Sequence, residues 1–430
     1  MGDNASTVKP EKDQPSVPKN IGDEVDLFVN QIDSLAETLP LATVAIKGAC
    51  DASQHDFIEF LDEESDRTRD DINNTTTYTF EAGKYPALRR FFRRIQKTQL
   101  AKDLVPRSLL VSLVSQFDAY LGKLIRQLFT IKPEILDSSP NTLTFAQLTE
   151  FGSIEGAREY VIDKEVESLL RKSHSEQFDW LENKFGLPLR ENLQAWPTFM
   201  EVTERRNLFV HTNGIISHQY LEVCRRHSCP VAADLCPGKS LSVTREYFAT
   251  AYECIFEIGV KLAQVLWRKL QPDKIHTADA NLNRVTYELL AEGRYHLARV
   301  LLDFATLTLK KHGSEENRLI MVVNRAQAYK WGGDHDAATK IVNAEDWSAK
   351  GLKFKLAQAV LLDNIEAAIE LMRQIGAGGE IDKHFYRDWP LFKEIRKSKE
   401  FAATFEELFG EPLNAITLDT KEEAAPGTVN

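Results

Sequence analysis

Residues 105–129 read VPRSLLVSLVSQFDAYLGKLIRQLF. Leu109, Leu113, Phe117, Leu121, Leu124 and Leu128 recur at steps of three and four, which puts them on one stripe of an α-helix. Pro106 suits the first turn of that helix, where a missing N–H is no loss. Asp118 lies beside the stripe, with Val114, Leu121 and Ile125 as its helical neighbours. A carboxylate in that company needs a partner, because burying it alone is costly.

Helical signals continue downstream at 144–151, 153–172 and 173–185. In WPTFMEVTERRNLFVHTNG (196–214), Pro197 opens a further helix and Thr212-Asn213-Gly214 closes it. A long helix is predicted at about 243–270. Strands are scarce; PGKSLSV (237–243) reads as a short extended stretch. From about 280 the texture changes. Helix, short turn, helix recurs around Gly293, Gly332-Gly333 and Asp363-Asn364, with an alanine four or five residues after each turn. The segment WPLFKEIRKSKEFAATFEELFG (389–410) reads as a helical cap on that series. The fold class expected is all-α.

A chain of 430 residues exceeds one ordinary core, so two or three domains are expected. The expected layout is a disordered tail at 1–24, a helical domain at 25–275, a second at 280–412 and a disordered tail at 413–430. No apolar run approaches the ~20 residues needed to cross a bilayer, and the polar, Pro-rich start carries no secretory h-region. The Met-Gly start is weak support for myristoylation. Five cysteines, unevenly spaced, fit reduced thiols in a cytoplasmic protein. Cys224, Cys229 and Cys236, near His227, match no common zinc spacing, and a plain loop is the expectation. A net charge of −11 argues against non-specific coating of nucleic acid. A local basic cleft stays open at LRRFFRRIQK (88–97), where Arg89, Arg90, Arg93 and Arg94 flank two phenylalanines; the alternative is an amphipathic helix with solvated arginines. No phosphate-binding glycine loop or Gly-x-Ser-x-Gly elbow occurs. The acidic run LDEESDRTRDD (61–71) lacks the pattern of an EF-hand and reads as a solvated linker. No metal or cofactor is called for.

The chemistry concentrates in TERRNLFVHTNG (203–214). Asn207 and His211 are four apart and share a helix face. Arg206 is about 140° round from His211, close enough for a long side chain to reach the same rim. A histidine in the last turn of a helix, able to carry or lose a proton near neutral pH, suits general acid–base work. Arginine, asparagine and histidine together suit transesterification of RNA. A base takes the proton of the ribose 2′-OH, the oxygen attacks the adjacent phosphorus, and arginine stabilises the charge added to the phosphoryl oxygens.

Arg206-Asn207-x3-His211 resembles the R-x4–6-H motif of HEPN domains, in the form with a polar residue after the arginine. The resemblance covers about residues 80–272, with FDAYL supplying an acidic residue on an earlier helix. It implies a helical bundle that forms a homodimer with its motifs facing each other, and a metal-independent endoribonuclease of the kind found among toxins and antiviral effectors. By carry-over Arg206 and His211 would be catalytic, Asn207 supporting, and Asp118 would orient Arg206. Arg205 also offers a spacing to His211 and, with the 89–94 cluster, is a candidate RNA contact. Where members paired with a nucleotidyltransferase carry a modified tyrosine, this chain has Asn213, which removes support for that mode of control. The helical hairpins after 280 resemble tetratricopeptide repeats, whose small residues allow close helix pairing. That implies a surface for a regulatory protein partner. The rival expectation is a non-catalytic dimeric scaffold that binds its partner through the repeats, with His211 structural.

Overall fold

A computed structural model describes residues 20–138 and 142–414. It is helical nearly throughout, and the chain divides into two compact units between Leu270 and Gln271.

The N-terminal unit is framed by two long antiparallel helices, α1 (Ile21–Glu64) and α2 (Tyr85–Ile131). Asn20 caps α1 by accepting from the Asp23 amide at 3.1 Å. Residues 21–24 therefore belong to a helix rather than to the expected tail, and Ile21 is buried; residues 1–19 lie outside those described. Pro106 also departs from expectation. It sits in the interior of α2, which begins at Tyr85, because 85–104 are held as helix against α1. The acidic run 61–71 is not a linker. It finishes α1 and enters a two-stranded antiparallel hairpin, β1 (Asp66–Asp70) with β2 (Thr75–Thr79), Arg69 opposite Thr76. The sequence reading missed this hairpin because its residues are polar on both faces.

The remaining helices of the unit are α3 (Phe145–Glu150), α4 (Ile154–Leu170), α5 (His174–Phe185), α6 (Trp196–Thr212), α7 (His218–Arg226) and α8 (Arg245–Leu270). Their core is tied by close contacts. Phe28 of α1 stacks on Tyr120 of α2 at 4.1 Å, and Tyr120 donates to the Gly259 carbonyl of α8 at 3.1 Å. Gly259 has to be small, since a Cβ there would come within 2.3 Å of the Phe28 ring. Phe117 meets Phe199 edge-on at 5.0 Å, joining α2 to α6, and Phe178 of α5 completes the cluster. The extended stretch at 237–243 reduces to a single bridge, Ser240 with Ile215.

The C-terminal unit holds three helical hairpins: α9 (Ile275–Ala291) with α10 (Tyr295–Asp303), α11 (Glu315–Trp331) with α12 (His335–Asn343), and α13 (Leu352–Leu361) with α14 (Ile365–Ile375). They turn at Gly293, Gly333 and Asp363, all in the left-handed region that a tight helix exit requires. Lys330 is buried at the second turn. Its ammonium donates to the Val360 and Leu361 carbonyls and pairs with Asp363, which satisfies the end of α13. Two short helices follow, α15 (Lys383–Asp388) and α16 (Lys399–Phe409). Leu413 is buried and its carbonyl accepts from Arg387 at 3.0 Å, so the expected tail starts later than 413; residues 415–430 lie outside those described.

Candidate active site

α6 is the element that presents the motif. Its first turn is fixed by Trp196, Phe199 and Met200, all buried. Its end is fixed by Asn213 (φ +52°) and Gly214 (φ +83°), and the Gly214 amide donates to the Leu208 carbonyl at 2.9 Å. Gly214 is required twice over: its backbone is left-handed, and a Cβ would lie 2.8 Å from the Phe209 ring.

The two arginines go different ways. Arg206 reaches Asp118 on α2, Nη2 to Oδ2 at 2.5 Å, with the arginine side chain 19% and the aspartate 30% exposed. The Nε of Arg206 is buried and has no acceptor among the described residues. Arg205 points to the opposite side. Its Nε donates to Glu201 at 2.7 Å, its Nη1 to the Ser242 carbonyl at 3.1 Å, and its guanidinium lies 3.8 Å over the Tyr247 ring. Glu201 is buried and also accepts from the Tyr220 and Tyr247 hydroxyls, each at 2.6 Å. Burial, and then the Glu201 charge, push both tyrosines' pKa up, keeping them donors. Arg205 is thus engaged in fastening α6 to α7 and α8.

Asp118 has a second donor that the sequence reading missed. His174, the first residue of α5, approaches its Oδ1 with Nε2 at 2.8 Å and is almost fully enclosed. Ser173 and Glu176 form a capping box that sets where α5 starts, and hence where the imidazole points. The capping box was visible in the sequence as Ser-x-x-Glu; its distance from 118 along the chain hid the contact. Glu204 completes the group. Burial pushes its carboxyl pKa up, against the pull of the His174 and Arg206 charges, and Asn207 stands 3.5 Å from it.

His211 is exposed, and its imidazole makes no hydrogen bond or ion pair among the described residues. It follows Arg206 by five residues, about 7.5 Å along the helix. Asn207 lies between them, four residues before His211 on the same face. Arg89, Arg90, Arg93 and Arg94 are exposed on α2. They precede Asp118 by 24 to 29 residues, roughly 36–44 Å of helix, so one protomer cannot place them in the same cleft as Arg206.

Of the three thiols near His227, Cys224 and Cys229 pack together in a small core under Leu208 and Phe209, while Cys236 is exposed. Among the described residues, no three His, Cys, Asp or Glu side chains gather as a metal site, and no helix is long and apolar enough to cross a membrane. No protein-family model, curated protein or solved structure matches the chain.

Proposed function

We propose that this chain is a HEPN-like, metal-independent endoribonuclease that cuts RNA by 2′-OH transesterification, acting as a toxin or antiviral effector in the cytoplasm. The observation that carries the reading is the pairing of Arg206 with Asp118, in the C-terminal half of a helix whose last turn presents the His211 side chain unpaired to solvent. Arg206 is aimed before substrate arrives, which is what electrostatic stabilisation of a phosphoryl group requires. His211 is the base that takes the 2′-OH proton, and Asn207 steadies the phosphate or the imidazole. The 2′-oxygen bonds to phosphorus, the bond to the 5′-oxygen breaks, and the products are a 2′,3′-cyclic phosphate and a 5′-OH. The leaving oxygen needs a proton, which a second His211 across a two-fold axis would supply. Asp118 and His174 act on this chemistry only by holding Arg206. The repeat-like C-terminal hairpins are assigned to a regulatory protein partner.

The test is incubation of purified protein with total RNA in EDTA, beside the His211→Ala and Arg206→Ala variants, with end-group analysis of the fragments. Cleavage by wild type alone, leaving cyclic phosphate ends, supports the reading. Cleavage that survives His211→Ala sinks it.

One observation favours a second reading, a non-catalytic scaffold. The C-terminal unit carries a cleft of about 240 Å³ whose lining includes Tyr287, Ile320, Phe354, Ile381, Phe385 and Trp389. Apolar clefts with a few polar groups at the rim commonly take a ligand or a partner side chain. A pull-down in which Trp389→Ala loses a partner while RNA stays intact throughout would favour it.

A further inference from the structure

The end of α7 brings two cysteines together. His227 is the C-cap of this helix, and Ser228 turns the chain back with φ +52°. The Ser228 amide donates to the Arg225 carbonyl at 3.3 Å, and the Cys229 amide donates to the Cys224 carbonyl at 2.8 Å. These two reversed bonds make a Schellman motif, in which the residue just past the turn packs against the residue that opens the last turn. Apolar side chains ordinarily fill both places. Here they are Cys229 and Cys224.

The two thiols meet. Cys224 is buried in a small core with Leu208 and Tyr220, and Cys229 packs on that core from a half-buried position. The Cys229 thiol donates to the Cys224 sulfur, and this hydrogen bond holds the Cys224 thiol pKa below its ordinary value. A disulfide needs Cα atoms about 4.4–6.8 Å apart. An amide-to-carbonyl bond between the same two residues keeps their backbones close without any further movement of the chain. The third thiol of the region, Cys236, is exposed and stands outside the motif.

The pair also lies next to an attachment point of α6. Cys224 follows Tyr220 by four residues on one face of α7. The Tyr220 hydroxyl donates to Glu201 of α6 at 2.6 Å, and Glu201 in turn holds Arg205. A cross-link at the end of α7 therefore stiffens the helix that carries Tyr220.

We infer that Cys224 and Cys229 are a thiol–disulfide site, oxidised by a peroxide to an internal disulfide that stiffens α7 and its hold on α6. The proton shared between the sulfurs lets the half-buried Cys229 meet the oxidant. Its thiolate attacks one peroxide oxygen, the O–O bond breaks, and the other oxygen leaves as water after taking a proton. The product is a sulfenic acid. The Cys224 sulfur then attacks the Cys229 sulfur, the S–O bond breaks, and a second water leaves. Two thiols have lost two electrons and one peroxide has gained them. This site does not depend on the ribonuclease reading.

The test uses the reduced full chain treated with hydrogen peroxide, with free thiols then blocked by N-ethylmaleimide and the peptides mapped by mass spectrometry. Cys224 and Cys229 are expected to disappear as free thiols together, into one disulfide, about tenfold or more faster than Cys236 reacts. The Cys236→Ser variant is expected to form the same disulfide, and the Cys229→Ser variant to form none. In urea the advantage over Cys236 is expected to vanish, because the fold supplies the proximity. Hydrogen exchange on peptides covering Tyr220 is expected to slow about tenfold or more on oxidation of wild type and to stay unchanged in Cys229→Ser. A disulfide that maps to Cys236 overturns the inference, as does a Cys224–Cys229 pair that stays reduced while Cys236 is consumed. A disulfide formed with no slowing of exchange around Tyr220 overturns the link to α6.

Discussion

The ion pair between Asp118 and Arg206 should behave as a coupled unit, and the size of that coupling can be worked from its surroundings. Two unit charges about 4 Å apart attract by ~4 kcal/mol at an effective dielectric constant of 20. Asp118 is 30% and Arg206 19% exposed, so solvent screens part of this. Asp118 also keeps His174 when Arg206 is removed. A coupling of about 1–2 kcal/mol remains. The perturbation is a cycle of Asp118→Ala, Arg206→Ala and the double variant. Each single change should cost about 2–3 kcal/mol, since each strands a half-buried charge, and the double should cost 1–2 kcal/mol less than their sum. The chain has two units, so a global melt would mix them. Hydrogen exchange on peptides from α2 and α6, measured along a urea series, reads the correct unit. Strict additivity, within about 0.3 kcal/mol, would show that the pair carries no net coupling and that Arg206 is positioned by something else.

Two further outcomes follow from the same region. Glu204 has its pKa raised chiefly by burial, so folding disfavours its charged form relative to the unfolded chain. Its contribution to stability is present below the ordinary glutamate range and is lost as pH rises through the raised value. Glu204→Gln should therefore melt higher than wild type at pH 7, with the difference closing by about pH 4; an unchanged difference across that range would remove burial as the cause. Gly214→Ala should destabilise the N-terminal unit by about 2 kcal/mol, from the left-handed backbone and the clash with Phe209. Asn213→Gly, at φ +52°, should be tolerated, and calorimetry on the two variants separates backbone strain from side-chain loss.

The parts of the fold readable in the sequence are those set by local pattern. Starts and stops of α4, α5 and α6 follow from Ser153, Ser173 and Asn213-Gly214, whose capping chemistry acts within one turn. The hairpin turns at Gly293, Gly333 and Asp363 were visible for the same reason. Pro106 misled because proline's preference for a first turn is local, whereas the helix before it is held from outside. Leu88, Phe91 and Ile95 are only half-buried, yet their seam with α1 carries the helix through the proline. Tertiary contact outweighed a local signal worth about 3 kcal/mol.

The candidate site divides along the same line. Arg206, Asn207 and His211 lie within six residues, so helix geometry alone related them. Asp118 was found at a distance because it breaks the rule for its surroundings: a carboxylate beside a leucine stripe requires a cation, and the structure supplies Arg206. His174 broke no rule. It opens a helix in a capped, polar stretch where a histidine needs no explanation, and its burial comes from α2 and α6 folding over it, with Phe199 edge-on at 5.3 Å and Phe117 at 6.1 Å. Arg205 was ambiguous for a related reason. Adjacent arginines on a helix differ by 100°, and which one faces α2 is decided by where Glu201 lies on the same helix. Glu201 is four residues before Arg205, the favourable order for a helical ion pair, and two tyrosine hydroxyls fasten it from α7 and α8. That hub consumes Arg205 and rotates Arg206 toward Asp118. Its removal should therefore misdirect Arg206 without touching it: Glu201→Gln should lower the Asp118–Arg206 coupling in the cycle above, while a Glu201 variant that leaves the coupling intact would show that α2 alone sets the rotation of α6.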